Sequence, residues 1–520
     1  MKRVTNCSAA LALFLFSLSS AATDGPNGRA AAALYKKYCA ECHHADRLGA
    51  MGPALLPQNL KRLKKGDAFD VIANGSPATQ MPAFRDRLGE TEIRSLVNYI
   101  YTPLKQMPEW GMKQMAATHI VHHDVELLPD RPVFSADLQN LFIVVELGDH
   151  HATLLDGDTF TPIHRFPTRV ALHGGPKYSN NGRYVFFASR DGWISKFDIY
   201  NLKYVAEIRA GINTRNVAVT PDGHYVMVAN YLPHTLTLLD GRDLSPIEVI
   251  PVTDANGRSS RVSAVYTAEP RGSFIAALKD IAEVWEIGYS GTDCSSHPGR
   301  GAASDPSLPR RKGCFPVRRI HLDDYLDDFF LNQEYSLIIG TSREGSSQVV
   351  DLDKGKVVHK LDLTGMPHLG SGITWQYQGL TVLATPNIKE GVVSVIDMTT
   401  WKTIKRIETL GPGFFMRSHE NTPYAWVDVF FGPDKDAMQV IDKRTLRIVK
   451  TLRPEPGKTS AHVEFTKDGA YALVSIWDMD GAVIVYDART LKEIKRIPMR
   501  KPSGKYNVSN KLKRSRGTSH

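Results

Sequence analysis

Cysteine is scarce in this chain, with five residues in 520. No second Cys or His pair follows Cys39 and Cys42 at zinc spacing, and no βαβ pattern surrounds them, which argues against a zinc site and against a thioredoxin-like site. No apolar run is long enough to form a stable membrane-spanning helix, so no membrane anchor is expected. No nucleic-acid motif accompanies the net charge of +9. The surplus of lysine and arginine, part of it in the stretch from Lys511 to Arg516, therefore suits a solvated surface with a bias toward acidic partners or anionic substrates.

What is present begins with Met1-Lys2-Arg3, an apolar stretch from Ala9 to Leu18, and Ser19-Ser20-Ala21-Ala22. This is the pattern of an export signal over residues 1–22, cleaved near Ala22, and it implies a periplasmic protein. Cys7 precedes the apolar stretch and so does not mark a lipoprotein. With 42% hydrophobic residues the chain can bury a large core in at least two domains.

Cys39-Ala40-Glu41-Cys42-His43 reads as a covalent haem c attachment site, with both thiols bound to the haem and His43 as the proximal iron ligand. A small all-α cytochrome c domain is expected over residues 28–102. A helix from Ala30 to Tyr38 leads into the motif, and Leu88, Ile93, Leu96, Val97 and Ile100 recur at helical spacing on a second helix. Met81, in Gln80-Met81-Pro82-Ala83-Phe84, is the expected sixth ligand, because a thioether on the second face raises the potential and suits electron transfer. Met51 is the competing candidate.

Residues 103–128 read as a linker. From 129 to 510 the sequence turns to short β-rich runs that end in an apolar-apolar-Asp turn, at Asp156, Asp198, Asp240, Asp351, Asp397, Asp442 and Asp487. A weaker eighth repeat falls at Trp285-Glu286-Ile287. The spacings are 42, 42, 47, 64, 46, 45 and 45 residues, which predicts an all-β eight-bladed propeller. Asn181-Gly182, Asp222-Gly223 and Asp468-Gly469 fall mid-repeat, where a hairpin inside each blade belongs. The long repeat contains Cys294 and Cys314, a pair able to form a disulfide in an oxidising compartment. Residues 511–520 form a basic tail.

A propeller behind a c-type cytochrome, with an export signal, resembles the cytochrome cd1 nitrite reductase family over nearly the whole mature chain. His173 precedes Ser179-Asn180-Asn181-Gly182-Arg183-Tyr184 and Arg190-Asp191-Gly192, matching the motif that follows that family's proximal haem d1 histidine. The resemblance therefore implies a non-covalent haem d1 or dihydro-haem d1 with His173 as iron ligand. By position Arg190, Arg215, Arg343 and more weakly Lys279 resemble the carboxylate-binding residues, a role that planar guanidinium groups suit. Tyr231, Trp477 and Tyr506 match positions that pack the macrocycle.

The nitrite reductases use two histidines to protonate nitrite. Here His368 lies in Gly365-Met366-Pro367-His368-Leu369-Gly370-Ser371-Gly372, but the second histidine is replaced by Asn387 in Ala384-Thr385-Pro386-Asn387. An amide cannot deliver that proton. His419 and His462 enter instead, and this wording resembles the dihydro-haem d1 dehydrogenase branch. The resemblance implies an oxidoreductase that converts a propionate of dihydro-haem d1 to an acrylate, the last step of haem d1 synthesis, with electrons leaving through haem c. His368 or His462 would take a proton, and His419 would be a distal ligand or share in catalysis. Expected partners are dihydro-haem d1, an electron-acceptor protein and the nitrite reductase that receives haem d1. The alternatives are a nitrite reductase and a non-catalytic haem d1 carrier.

Overall fold

A computed structural model describes residues 26–76, 79–289 and 315–513. The export signal, Cys294 and Cys314, and residues 514–520 of the tail lie outside the described residues. The described residues divide into two compact units, one of residues 26–47, 55–76 and 81–106, the other of residues 48–54, 79–80 and 107 onward.

The first unit is helical. Its helices are Pro26–Tyr38, Ala40–His43, Pro57–Leu60, Lys65–Asn74 and Glu90–Ile100, so the leading helix begins four residues before the expected Ala30. The core joins Tyr35, Leu60, Ala68, Ile72 and Phe84 to Leu88, Ile93, Leu96, Val97 and Ile100. Leu88 is not on the last helix. It precedes the Gly89 N-cap, and with Ile93 in the same core it completes a hydrophobic staple, while Glu92 Oε2 accepts the Gly89 N–H at 2.9 Å.

The second unit is built from eight antiparallel sheets, seven of four strands and one of five. Each repeat supplies the strands of a blade from the channel outward. Blade 3, for example, runs Asn213–Val219, Tyr225–Leu232, Thr235–Asp240, Pro246–Pro251. The seven aspartates end the third strands, and each carboxylate accepts the N–H of the residue two further on at 2.7–3.0 Å. That side-chain turn is why aspartate marks the repeat. The chain then adopts positive φ four residues after each aspartate, at Phe160, Leu202, Leu244, Gly355, Trp401, Leu446 and Leu491. Apolar side chains fill the seams between neighbouring blades; Phe186, Ile194, Val217, Val226 and Val228 share one cluster across blades 2 and 3.

Two features were not legible. Part of the expected 103–128 linker is folded: Met112–Ala116 is helical, Met115 is buried in the cluster just named, and Ile120–Val121 pairs with Lys203–Arg209 as the fifth strand of blade 2. Closure was the other. Pro502–Asn507 forms the innermost strand of blade 1 by pairing with Leu141–Glu146, with Tyr506 opposite Ile143. No helix among the described residues is long and apolar enough to cross a membrane.

Candidate functional site

In the cytochrome unit, Cys39 caps the one-turn helix Ala40–His43, which sets His43 directly after the second thiol and buries its ring. Burial, then Cys42, raises the Cys39 thiol to about 11, and burial raises Cys42 as well. Neither sulfur is in a disulfide with a described residue. Met81 and Cys39 pack against the same apolar core, whereas Met51 is not part of it. Two thiols, a buried imidazole and a thioether around one core form a donor set that fits a covalent haem c with His43 and Met81 as axial ligands.

On the propeller, one face carries the connections between blades and the turns from second to third strand. His173 comes from the connection into blade 2, and Arg190 from the turn between Tyr184–Ala188 and Trp193–Asp198. Arg215 starts the inner part of blade 3, Tyr231 ends its second strand, and Lys279, Arg343 and Trp477 occupy equivalent turns of blades 4, 5 and 8. His368 lies in the connection into blade 6 and His462 near the start of Ser460–Phe465 in blade 8.

Two of these residues are aimed by irregularities. Tyr231 is the extra residue between the Asn230↔Thr214 and Leu232↔Asn213 pairs. His462 is the extra residue between Ala461↔Ser475 and Val463↔Val474, and its φ is +50°. A bulge turns a side chain off the alternation of its strand, and a positive φ at a non-glycine residue is a strain held by its surroundings.

His173 Nδ1 donates to the Arg215 carbonyl at 2.8 Å, which leaves the lone pair on Nε2, where Arg215 Nη1 approaches to 2.6 Å. Burial, then the Arg190 and Arg215 charges, lowers its pKa well below the usual imidazole range. A neutral imidazole with its second nitrogen fixed by a carbonyl is the state that ligates iron. Burial also lowers Arg190 to about 10, with Arg215 adding to the effect. Among the described residues neither Arg190 nor Arg215 has a carboxylate within ion-pair distance, while Lys279 is paired with Asp327 and Arg261 with Asp280. The exposed Arg343 donates its backbone N–H to Asp327 at 2.7 Å. Burial alone would raise Tyr231, but Lys279, Arg215, Arg261 and Arg190 outweigh it and bring the phenol down to about 8.

The opposite side of the site is aromatic. Phe430 packs on Trp477 at 5.0 Å and on Phe414 at 5.5 Å, and Phe415 lies 4.8 Å from His462. Tyr506 follows at 5.2 Å from His462, against Gly175. Trp477 Nε1 is a buried donor without a partner. Unpaired guanidinium groups, an orphaned indole N–H, an aromatic wall and a neutral imidazole together fit a flat, iron-bearing, polycarboxylate tetrapyrrole.

His368 Nδ1 donates to the Phe414 carbonyl at 2.5 Å, and its Nε2 lies 3.6 Å from Asp328 Oδ2. Its basic nitrogen is therefore Nε2. His462 differs, because Nδ1 receives the Lys505 N–H at 3.4 Å and the proton then sits on Nε2. Burial, then Lys505 and Arg417, keeps its pKa well below the usual range. Asn387 is spent on the fold: Oδ1 accepts the N–H groups of Met366, Lys389 and Glu390, and Nδ2 donates to Thr364 O.

His419 does not join the site. It follows Met416–Ser418, the inner strand of blade 7, and so lies in the turn from first to second strand, at the opposite end of the blade. There Nδ1 accepts the Asn421 N–H at 3.2 Å, Asn421 bonds Asp468 O of blade 8, and Lys443 donates to His419 O at 3.0 Å. The expectation of a distal ligand or catalytic group at His419 is corrected: antiparallel topology sends a residue past the end of an inner strand away from the residues that precede such strands. Conversely, the sequence reading passed over Phe414, Asp328, Asp428 and Lys505. The doublets Phe414-Phe415 and Phe430-Phe431 were the available signal for the aromatic wall.

The family described as "Cytochrome D1 heme domain" matches residues 136–511, and "Cytochrome C oxidase, cbb3-type, subunit III" matches residues 26–100. The chain is 54% identical over 489 residues to the dihydro-heme d1 dehydrogenase of Pseudomonas aeruginosa, covering 94% of this chain and 95% of that one. It is 25% identical over 533 residues to the nitrite reductase of Stutzerimonas stutzeri, covering 92% of each. A solved structure titled "Dihydro-heme d1 dehydrogenase NirN in complex with DHE" superposes with a TM-score of 0.78 at 53% identity, covering 93% of this chain and all of that one.

Proposed function

The chain belongs to the dihydro-haem d1 dehydrogenase family, among the proteins with a cytochrome d1 haem domain, and from that premise we propose that it oxidises dihydro-haem d1 to haem d1. One propionate, –CH2–CH2–COO⁻, becomes an acrylate, –CH=CH–COO⁻, with release of two protons and two electrons. His173 holds the substrate iron through Nε2, Arg190 and Arg215 hold carboxylates, and Trp477 Nε1 donates to a polar edge. Cys39, Cys42, His43 and Met81 would hold haem c, which would supply a one-electron acceptor. Two electrons therefore leave in succession, to an acceptor protein. The 1–22 segment supports a periplasmic site for the reaction.

The observation that carries the proposal is the contrast between His368 and Asn387. His368 has its Nδ1 proton tied to Phe414 O and its Nε2 lone pair available, so it takes a proton from the propionate chain, with Asp328 near enough to stabilise the imidazolium. Asn387 has no acidic proton to give, and its amide is engaged by backbone groups of Thr364, Met366, Lys389 and Glu390, which disfavours nitrite reduction. His462, with Nε2–H, donates a hydrogen bond to the substrate.

The test is anaerobic mixing of the protein, haem c oxidised, with dihydro-haem d1. Haem c bands should reduce as the tetrapyrrole spectrum becomes that of haem d1. His368→Ala should slow that reduction by about 10²- to 10⁴-fold, the loss of a general base, while substrate binding persists. Binding without any reduction of haem c in the wild-type protein would leave a carrier and sink the dehydrogenase reading.

A further inference from the structure

Asp428 ends the second strand of blade 7 and is fully buried. Its Oδ1 accepts the backbone N–H groups of Phe414 at 2.7 Å and Phe415 at 3.0 Å, and its Oδ2 accepts that of His462 at 3.3 Å. One carboxylate thus gathers three backbone donors from two blades. Both segments it holds lead to a site imidazole. The carbonyl of Phe414 receives the Nδ1 proton of His368, from blade 6, and the ring of Phe415 packs against that of His462.

The bulge at His462 gives the arrangement its purpose. That residue's N–H has left the strand ladder and needs an acceptor, and Asp428 provides it. Lys505 completes the support beneath: its ammonium donates to His462 O and to Ser475 Oγ. Burial raises the Asp428 carboxyl to about 7, against the pull of the three N–H groups and of Lys505. A costly buried carboxylate is retained where an apolar residue would leave three donors unmet and an amide would leave one.

We propose that Asp428 is a positioning residue that sets His368 and His462 in one register, fixing His368 through the Phe414 carbonyl and His462 through its own N–H. It touches no substrate, and it acts on catalysis only through the imidazoles. The inference rests on the reading of His368 as the base.

Asp428→Asn is the informative variant, because its Oδ1 still serves Phe414 and Phe415 while its NH2 cannot accept from His462. At saturating dihydro-haem d1 the rate of haem c reduction should fall about 10- to 100-fold, with the dissociation constant from absorbance titration changed less than about threefold. In a His462→Ala background the same substitution should cost less than about threefold, since the contact it removes is the one to His462 and residues acting as one unit are not additive. An equal factor in both backgrounds, or an unchanged rate in Asp428→Asn alone, overturns the inference. His368→Ala at the wild-type rate would instead overturn the base reading, and the two failures are told apart by that single variant. Retained dihydro-haem d1 binding reports that Asp428→Asn is folded; if it is lost, Asp428→Glu, which keeps both acceptor oxygens, should hold the rate within about threefold of wild type, and a rate as low as that of Asp428→Ala overturns the inference.

Discussion

Arg190 and Arg215 carry positive charge in a crowded site with no carboxylate among the described residues within ion-pair distance. Such groups are matched by what they bind, so Arg190→Ala should weaken dihydro-haem d1 binding by about 1.5–3 kcal/mol, a factor of roughly 10 to 150 in the dissociation constant. Trp477→Phe keeps the ring against Phe430 and loses only the N–H, with an expected loss of about 1 kcal/mol in the same titration. The buried imidazoles also link stability to pH. An unfolded histidine gains a proton as pH falls through about 6.5, whereas His173 and His462 stay neutral in the fold to lower pH. The unfolded state then binds more protons, and stability falls below about pH 6.5 by up to roughly 1.4 kcal/mol per pH unit for each group. Asp428 opposes this, because its folded carboxyl, near 7, is protonated before the unfolded one. With two imidazoles against one carboxyl, the urea midpoint without substrate should drop from about pH 7 to about pH 5.5, and by less in His462→Gln. At this scale His173, Arg190 and Arg215 were legible because flanking motifs fixed their place. Asp428 was not, since nothing local distinguishes a strand-ending aspartate that serves another blade from one that closes its own turn.

Among elements, the turn after each third strand does the same work seven times. Asp487 accepts the N–H groups of Arg489 and Thr490 and the Thr490 hydroxyl, so Asp487→Ala should cost about 1–2 kcal/mol in urea unfolding and Asp487→Asn less. The repeat was legible because that chemistry needs aspartate. The left-handed residue four positions later was hidden, because six of the seven are not glycine. Leu244, Leu446 and Phe160 accept a strained backbone, costing of order 1–3 kcal/mol, in return for burial of a large side chain. His419 was misplaced for a related reason: spacing gives the strand on which a residue sits, not the end of the blade it reaches. The folded stretch after residue 107 lacked any long period, and its Met115 is explained only by the seam it fills.

For the molecule as a whole, the seven spacings between eight repeats predicted the ring but not how it shuts. Ending the chain at residue 501 would leave Leu141–Glu146 an open strand edge and blade 1 without its inner strand. Such a chain should associate or aggregate in size-exclusion chromatography and fail to bind dihydro-haem d1. The pairing of Tyr506 with Ile143 spans most of the propeller's sequence, a separation that makes its closure costly in chain entropy.

The clasp between those two strands carries Lys505, which supports His462, and Tyr506, which packs beside it. A site whose last wall arrives with the closing strand stays unfinished until residues 502–507 have paired. The fold thereby acts as a clock: a half-made chain has no complete cradle in which a reactive tetrapyrrole could be trapped, and loading waits until the ring has shut.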